Sequence, residues 1–152
     1  MNIPFTPAGY HSLTPYAIYL DCKAAIAFYE QAFGATKKLQ IDMGSAVGHA
    51  EIIIGNSHLM MSDESVAPDL RSPDALGGSS VFFMIYVADA DAAIARAVAA
   101  GAKLTRPLEN HFYGDRSGTV VDPFGYHWTL ATHIEDVDED ELNRRLQKMM
   151  NN

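Results

Sequence analysis

The strongest constraint on this chain is that it repeats itself. Ala24-Ala25-Ile26-Ala27 is followed by Gly34-Ala35, and Ala92-Ala93-Ile94-Ala95 by Gly101-Ala102, about 68 positions later. Each copy is an Ala-rich amphipathic segment closed by Gly, the residue that most readily takes a left-handed helix C-cap. An apolar, strand-like stretch precedes each copy, Thr14 to Leu20 and Val81 to Val87, and more strand-like stretches follow. The repeat therefore predicts two similar modules, at about 12–64 and 79–133.

In the first module the spacing predicts a helix over 22–33, capped by Asp21, with Ala25, Ile26, Phe28, Tyr29, Ala32 and Phe33 on its apolar face. Strands follow near 37–42, 49–54 and 58–62, and Gly55-Asn56-Ser57 reads as a hairpin turn. The second module opens on VFFMIYV, rich in β-branched and aromatic residues, and continues with a helix over 90–100 behind Asp89. Strands near 103–107, 117–121 and 126–132 complete it. Asp122-Pro123-Phe124-Gly125 is a turn, because Pro fixes φ and Gly permits positive φ. The result is βαβββ twice, an α+β pattern. Residues 64–79, polar and rich in Pro, Gly and Ser, read as a mobile linker or lid. The tail reads as a terminal helix with acids first and bases last. Its Leu142, Leu146, Met149 and Met150 face the body or a second subunit.

Charge narrows the function. Lys+Arg is 11 and Asp+Glu is 19, so the net charge is −8. A nucleic-acid binder needs clustered bases to neutralise phosphates, and a polybasic membrane anchor needs the same, so neither is expected. No apolar run approaches the ~20 residues that span a bilayer. No basic start followed by an apolar stretch is visible, so the expected location is the cytoplasm. Cys22 is the only cysteine, which excludes an intrachain disulfide. It reads as a small structural residue rather than a nucleophile, and Gly77-Gly78 lacks the strand, helix and Lys of a phosphate loop.

Four stretches carry a family resemblance: AAIAFYEQAFGA (24–35), GHAEIIIGNSHLMMSDE (48–64), FYGDRSGTVVDPFGYHWTLATHIEDV (112–137) and ELNRRLQKM (141–149). With the paired βαβββ pattern they resemble the vicinal-oxygen-chelate superfamily, which holds glyoxalase I, bleomycin-resistance proteins and extradiol dioxygenases, and most closely its glyoxalase-like or PhnB-like branch. The resemblance implies one such domain over 1–137, with 65–78 as a linker and a C-terminal helix over 138–152. It implies curved mixed sheets around a cup that holds the ligand, and a homodimer. It also implies where metal-dependent members put their four His or Glu ligands: here Thr14, Met60, Phe82 and Thr129. None of these is a good ligand for a divalent cation, so glyoxalase I activity is not inherited.

Strand alternation then assigns the faces. If Met60 faces the cup, so do His58 and Ser62. Thr14, Tyr16 and Ile18 face in from the first strand, and His49, Glu51 and Ile53 from the third. In the second module Phe82, Met84 and Tyr86 face in, with His127, Thr129 and Ala131. His49 and Glu51, two apart on one strand, form either an acid/base pair, a displaced metal site with His58 or His127, or an ordinary solvated pair. Arg116 either clamps an anionic or carbonyl group or pairs with a structural carboxylate, and Gly114 permits a bend beside it. His11, His111 and His133 read as ordinary surface residues.

Three functions stay open. The first is binding of a small molecule without cofactor or metal, as in bleomycin resistance. The second is a lyase, isomerase or dioxygenase-type enzyme with displaced metal ligands or a metal-free His49–Glu51 pair. The third is an interaction module whose cup is filled by its own side chains.

Overall fold

The computed structural model describes residues 3–151. The chain divides into two compact units, residues 1–79 and 80–152. Each has its own four-stranded mixed sheet, so the architecture is α+β.

The first unit runs β1 (Tyr16–Tyr19), α1 (Cys22–Phe33), β2 (Thr36–Met43), β3 (Ala46–Ile54) and β4 (Ser57–Asp63). Its sheet order is β1-β4-β3-β2, with β1 parallel to β4 and the rest antiparallel. The local signals act as read. The Asp21 carboxylate accepts the Ala24 N–H, and Gly34 ends α1 at φ 68°. The apolar face of α1 packs on the sheet, burying Ala25, Ile26, Phe28 and Tyr29 against Ala50, Ile52, Leu59 and Met61. Fully burying each larger side chain stabilises the fold by about 1.5–3 kcal/mol. The hydroxyls of Tyr19 and Tyr29, both fully buried, satisfy each other at 3.0 Å. Buried Asp63 accepts the N–H groups of Cys22 and Val47, tying the start of α1 to the sheet.

One expectation is corrected here. The first strand is shorter than 14–20, so Thr14 lies before β1, its hydroxyl 3.5 Å from the His11 carbonyl. The segment 64–79, read as a mobile linker or lid, contains local structure. It holds a single 3₁₀ turn (Glu64–Val66) and the short α2 (Pro73–Leu76), and the Glu64 carboxylate accepts the Ser72 N–H at 2.7 Å. Pro73 at the helix start, with φ preset, explains the second turn.

The second unit runs β5 (Phe82–Tyr86), α3 (Ala90–Ala100), β6 (Lys103–Asn110), β7 (Asp115–Val121), β8 (His127–His133) and α4 (Glu139–Met150). Its order, β5-β8-β7-β6, repeats the first with the same parallel pair at one edge. Asp89 caps α3 as Asp21 caps α1. Thr132 takes the place of Asp63: its hydroxyl accepts the Ala90 N–H and donates to the Val87 carbonyl. The DPFGYHW stretch folds around Asp122, whose carboxylate accepts from the Phe124 and Tyr126 N–H groups and from Trp128 Nε1–H, at 2.8–2.9 Å. Helix α4 buries none of its residues. Arg145 ties it down, pairing with Glu135 and Glu141 and donating to the Phe112 carbonyl.

Among the described residues, no helix is long and apolar enough to cross a membrane.

Candidate functional site

The polar chemistry gathers on the face of the first sheet opposite α1. Alternation along β3 sends Ala50 and Ile52 toward α1 and His49 and Glu51 to the other side. Register sets Met60 beside both Glu51 and Tyr16, and His58 beside Ile53.

Glu51 is the centre, a carboxylate only 6% exposed. Its Oε1 receives His49 Nε2 at 3.1 Å, and its Oε2 accepts the Tyr10 hydroxyl and lies 3.7 Å from Lys38 Nζ. Burial is the largest single influence on this carboxyl and pushes it up. The hydrogen bonds from Tyr10 and His49 and the charge of Lys38 together outweigh burial and hold it below the ordinary glutamate range. The Tyr16 hydroxyl lies 2.9 Å from His49 Nδ1. Lys38 Nζ sits over the Tyr10 ring, 2.5 Å from its hydroxyl and 3.4 Å from His58 Nε2, and the Tyr10 and His58 rings stack at 3.9 Å. The expected pair is thus part of a six-residue network.

Tyr10 and Lys38 carry no signal in the periodicity. Tyr10 lies in the irregular segment before β1. Lys38 sits where the β2–β3 register shifts, between Lys37 and Leu39, so simple alternation does not give its direction. Ser62 is fully buried with its hydroxyl unpartnered, which takes it off the open face.

The face of the second sheet is different. Phe82, Met84 and Tyr86 are each about half-exposed along β5. Phe82 stacks on His127 at 4.5 Å, with the Arg106 guanidinium 5.4 Å from the Phe82 ring. Thr129 shares a 2.9 Å hydroxyl pair with Thr119. The Tyr86 hydroxyl donates to Asp115, and the hydrogen bond to that carboxylate raises the phenol's pKa. Asp115 also meets His133 at 2.8 Å, so His133 is engaged rather than an ordinary surface residue. Arg116 points the other way, since it is adjacent to Asp115 on β7. Asp91 of α3 holds it through two 2.6 Å contacts, the structural pairing of the two readings. Gly114 adopts φ 97°, the bend the sequence allowed.

Cys22 is a fully buried free cysteine. Burial, first, and the nearby Asp63 and Asp21 charges push its thiol up to about 12. Surface clefts beside Leu20 involve Asp21, Lys23, Asp63 and Glu64, which are already committed to caps, ion pairs and turns.

The side chains at the four places that the resemblance assigns to metal ligands are poor donors for a divalent cation. Thr14 and Thr129 offer neutral hydroxyls, the latter already paired; Met60 offers a thioether; Phe82 has no donor atom and stacks on His127. Among the described residues, no group of three or more His, Cys, Asp or Glu is arranged to hold a metal ion.

Comparison with known proteins agrees with this architecture. An uncharacterized protein of Mycobacterium bovis is 34% identical, the match covering 86% of this chain and 89% of that protein. The crystal structure of an Arabidopsis thaliana gene product, At5g48480, superposes with TM-score 0.65 at 30% identity, covering 80% of this chain and 98% of that one. A PhnB protein of Bacillus cereus, described as a putative 3-demethylubiquinone-9 3-methyltransferase, shares the fold at TM-score 0.62 and 16% identity, over 80% of this chain and 99% of that one. A family model matches residues 16–130, and by it the chain belongs to the Glyoxalase/Bleomycin resistance protein/Dioxygenase superfamily.

Proposed function

We propose that the chain binds a small organic molecule against the exposed sheet face centred on Glu51, without a metal at the family's four ligand places. One observation carries the reading: a buried, ionised carboxylate held by Tyr10, His49 and Lys38 among aromatic and thioether surface from Tyr16, His58 and Met60. Small-molecule sites combine apolar walls with a few fixed polar groups in this way. The second sheet carries an aromatic and polar surface of its own, from Phe82, Met84, Tyr86, His127 and Thr129.

The test joins metal analysis to ligand screening. Protein purified without a metal-binding tag should carry far less than one equivalent of Zn, Mn, Fe, Co or Ni, and added metal should not raise its melting temperature. A panel of aromatic carbonyl and phenolic compounds should yield at least one saturable ligand. Glu51→Gln and Met60→Ala should each weaken that ligand about tenfold or more, about 1.4 kcal/mol. Stoichiometric metal, or unchanged affinity in both variants, overturns the reading.

A second reading, an acid/base enzyme, is favoured by the 3.1 Å contact between His49 and Glu51. It predicts that His49→Ala abolishes turnover of the right substrate while leaving the fold intact. Retained turnover removes His49 from the chemistry.

A further inference from the structure

The protons of the Glu51 network can be placed by elimination. Ionised Glu51 has no proton to give, so the proton in its contact with His49 belongs to Nε2. In a neutral imidazole the other nitrogen is then bare, so Nδ1 accepts. Its partner at 2.9 Å is the Tyr16 hydroxyl, which therefore donates to it. The phenolic oxygen keeps its lone pairs free, and Tyr16 is 48% exposed. Behind the imidazole, Glu51 is fixed by Tyr10 and Lys38, so the carboxylate cannot swing away. The order from solvent inward is hydroxyl, imidazole, carboxylate, the order in which nucleophilic triads let an imidazole take a hydroxyl's proton while a carboxylate orients the ring.

The second unit has the same three residue types in another order, and the contrast is informative. There Asp115 lies between the Tyr86 hydroxyl and His133. The Tyr86 phenol donates straight to a carboxylate rather than to an imidazole nitrogen, and His133 lies beyond that carboxylate. Of these two arrangements, only the one on the first sheet can pass a proton inward from a phenol to a nitrogen base.

We propose that Tyr16, His49 and Glu51 form a proton relay, with Tyr16 touching the ligand and His49 and Glu51 as positioning residues, and that it takes a proton from a phenolic or enolic hydroxyl. This rests on the binding reading above. The ligand O–H proton passes to Tyr16 Oη as the Tyr16 proton passes to His49 Nδ1. The ligand becomes an oxyanion, Tyr16 stays neutral, and His49 becomes an imidazolium against Glu51. Run backward, the relay returns a proton to a bound oxyanion. Acidity sets the ligand class. A free phenol such as tyrosine ionises near ~10 and free imidazole near ~6.5, so a phenol is the weaker acid by only a few units. Ordinary alkanols are far weaker acids than phenols and fall outside that reach.

4-Nitrophenol tests this, because its phenolate absorbs at longer wavelength than the phenol. Binding is followed by ligand-observed NMR and ionisation by absorbance, in buffer one pH unit below the free probe's midpoint. The wild-type protein should bind the probe saturably and raise its ionised fraction. Tyr16→Phe removes only an exposed hydroxyl. With the probe at a concentration that saturates each protein, it should lose at least nine-tenths of the ionisation gained on binding, and His49→Gln should do the same. Circular dichroism checks that both variants fold. If the probe binds but stays protonated, if Tyr16→Phe ionises it as wild type does, or if Lys38→Met alone removes the ionisation, the relay is overturned and the binding reading stands. If the wild-type protein binds no probe saturably, the relay falls together with the binding reading for phenols.

Discussion

At the scale of single residues, the sharpest constraint is Gly114. Its φ of 97° disfavours any side chain, and a Cβ there would collide with the Glu135 carbonyl, a backbone atom that cannot step aside. The Gly114 carbonyl also accepts the Ile134 and Glu135 N–H groups, so the close approach is hydrogen-bonded as well as packed. Gly114→Ala should therefore cost about 2 kcal/mol or more, from backbone strain and overpacking together. Urea unfolding reads this directly, and an unchanged midpoint would refute the argument. The sequence shows a Gly in a connection but not the Glu135 carbonyl beside it, because that contact joins positions 21 apart. The candidate site follows the same rule. His49 and Glu51 share a strand, so period-two alternation places them together. Tyr10 and Lys38 reach Glu51 from an irregular segment and a strand irregularity, and no local pattern encodes either. Arg116 was legible only as a pair of alternatives. What decides it is Asp91, which lies one helix away.

At the scale of elements, legibility tracks the strength of local signals. The helices over 22–33 and 90–100 coincide with α1 and α3 because each has an Asp cap, a continuous apolar face and a terminal Gly. The strands agree in place but differ at their ends, where pairing rather than propensity decides. The 64–79 stretch holds only two short turns, because Pro, Gly and Ser break long elements yet permit single turns. The connection from β8 to α4 holds an electrostatic feature of its own. His133 sits between Asp136, 2.9 Å from Nε2, and Asp115, 2.8 Å from Nδ1. The hydrogen bond to Asp136, then that to Asp115, raises the imidazole's pKa above its ordinary value. A group whose pKa is raised on folding stabilises fully below its unfolded value of ~6.5, and that contribution is lost as pH climbs through the folded value. Amide exchange over residues 134–138, corrected for intrinsic base catalysis, should therefore quicken as pH rises past neutral. His133→Gln should lack that dependence. An NMR titration placing the His133 midpoint at or below the ordinary value would refute the assignment.

At the scale of the whole molecule, repetition carries the architecture while the chemistry diverges. Both sheets have one strand order, and α1 and α3 both start on an Asp cap, yet Glu51 with its His49 and Lys38 partners lies on the first sheet and the stacked Phe82–His127 pair on the second. Assembly is the property left to predict at this scale. Leu146, Met149 and Met150 of α4 are 42%, 59% and 77% exposed, an apolar stripe on a helix that buries nothing. Covering that stripe with a second copy predicts a homodimer of about twice 16.6 kDa by sedimentation. Leu146→Glu with Met149→Glu should halve the mass, and a wild-type monomer at micromolar concentration would refute the pairing.

The burial of Trp128 has a practical corollary. It is the chain's only tryptophan, and it lies in the second unit with its indole N–H on Asp122. Intrinsic fluorescence excited at the indole band therefore watches one half of the chain and is blind to the other. A single smooth fluorescence transition would not establish cooperative melting. The buried Tyr19–Tyr29 pair in the first half gives near-ultraviolet dichroism a separate reporter, and only coincidence of the two signals would show that the halves melt as one.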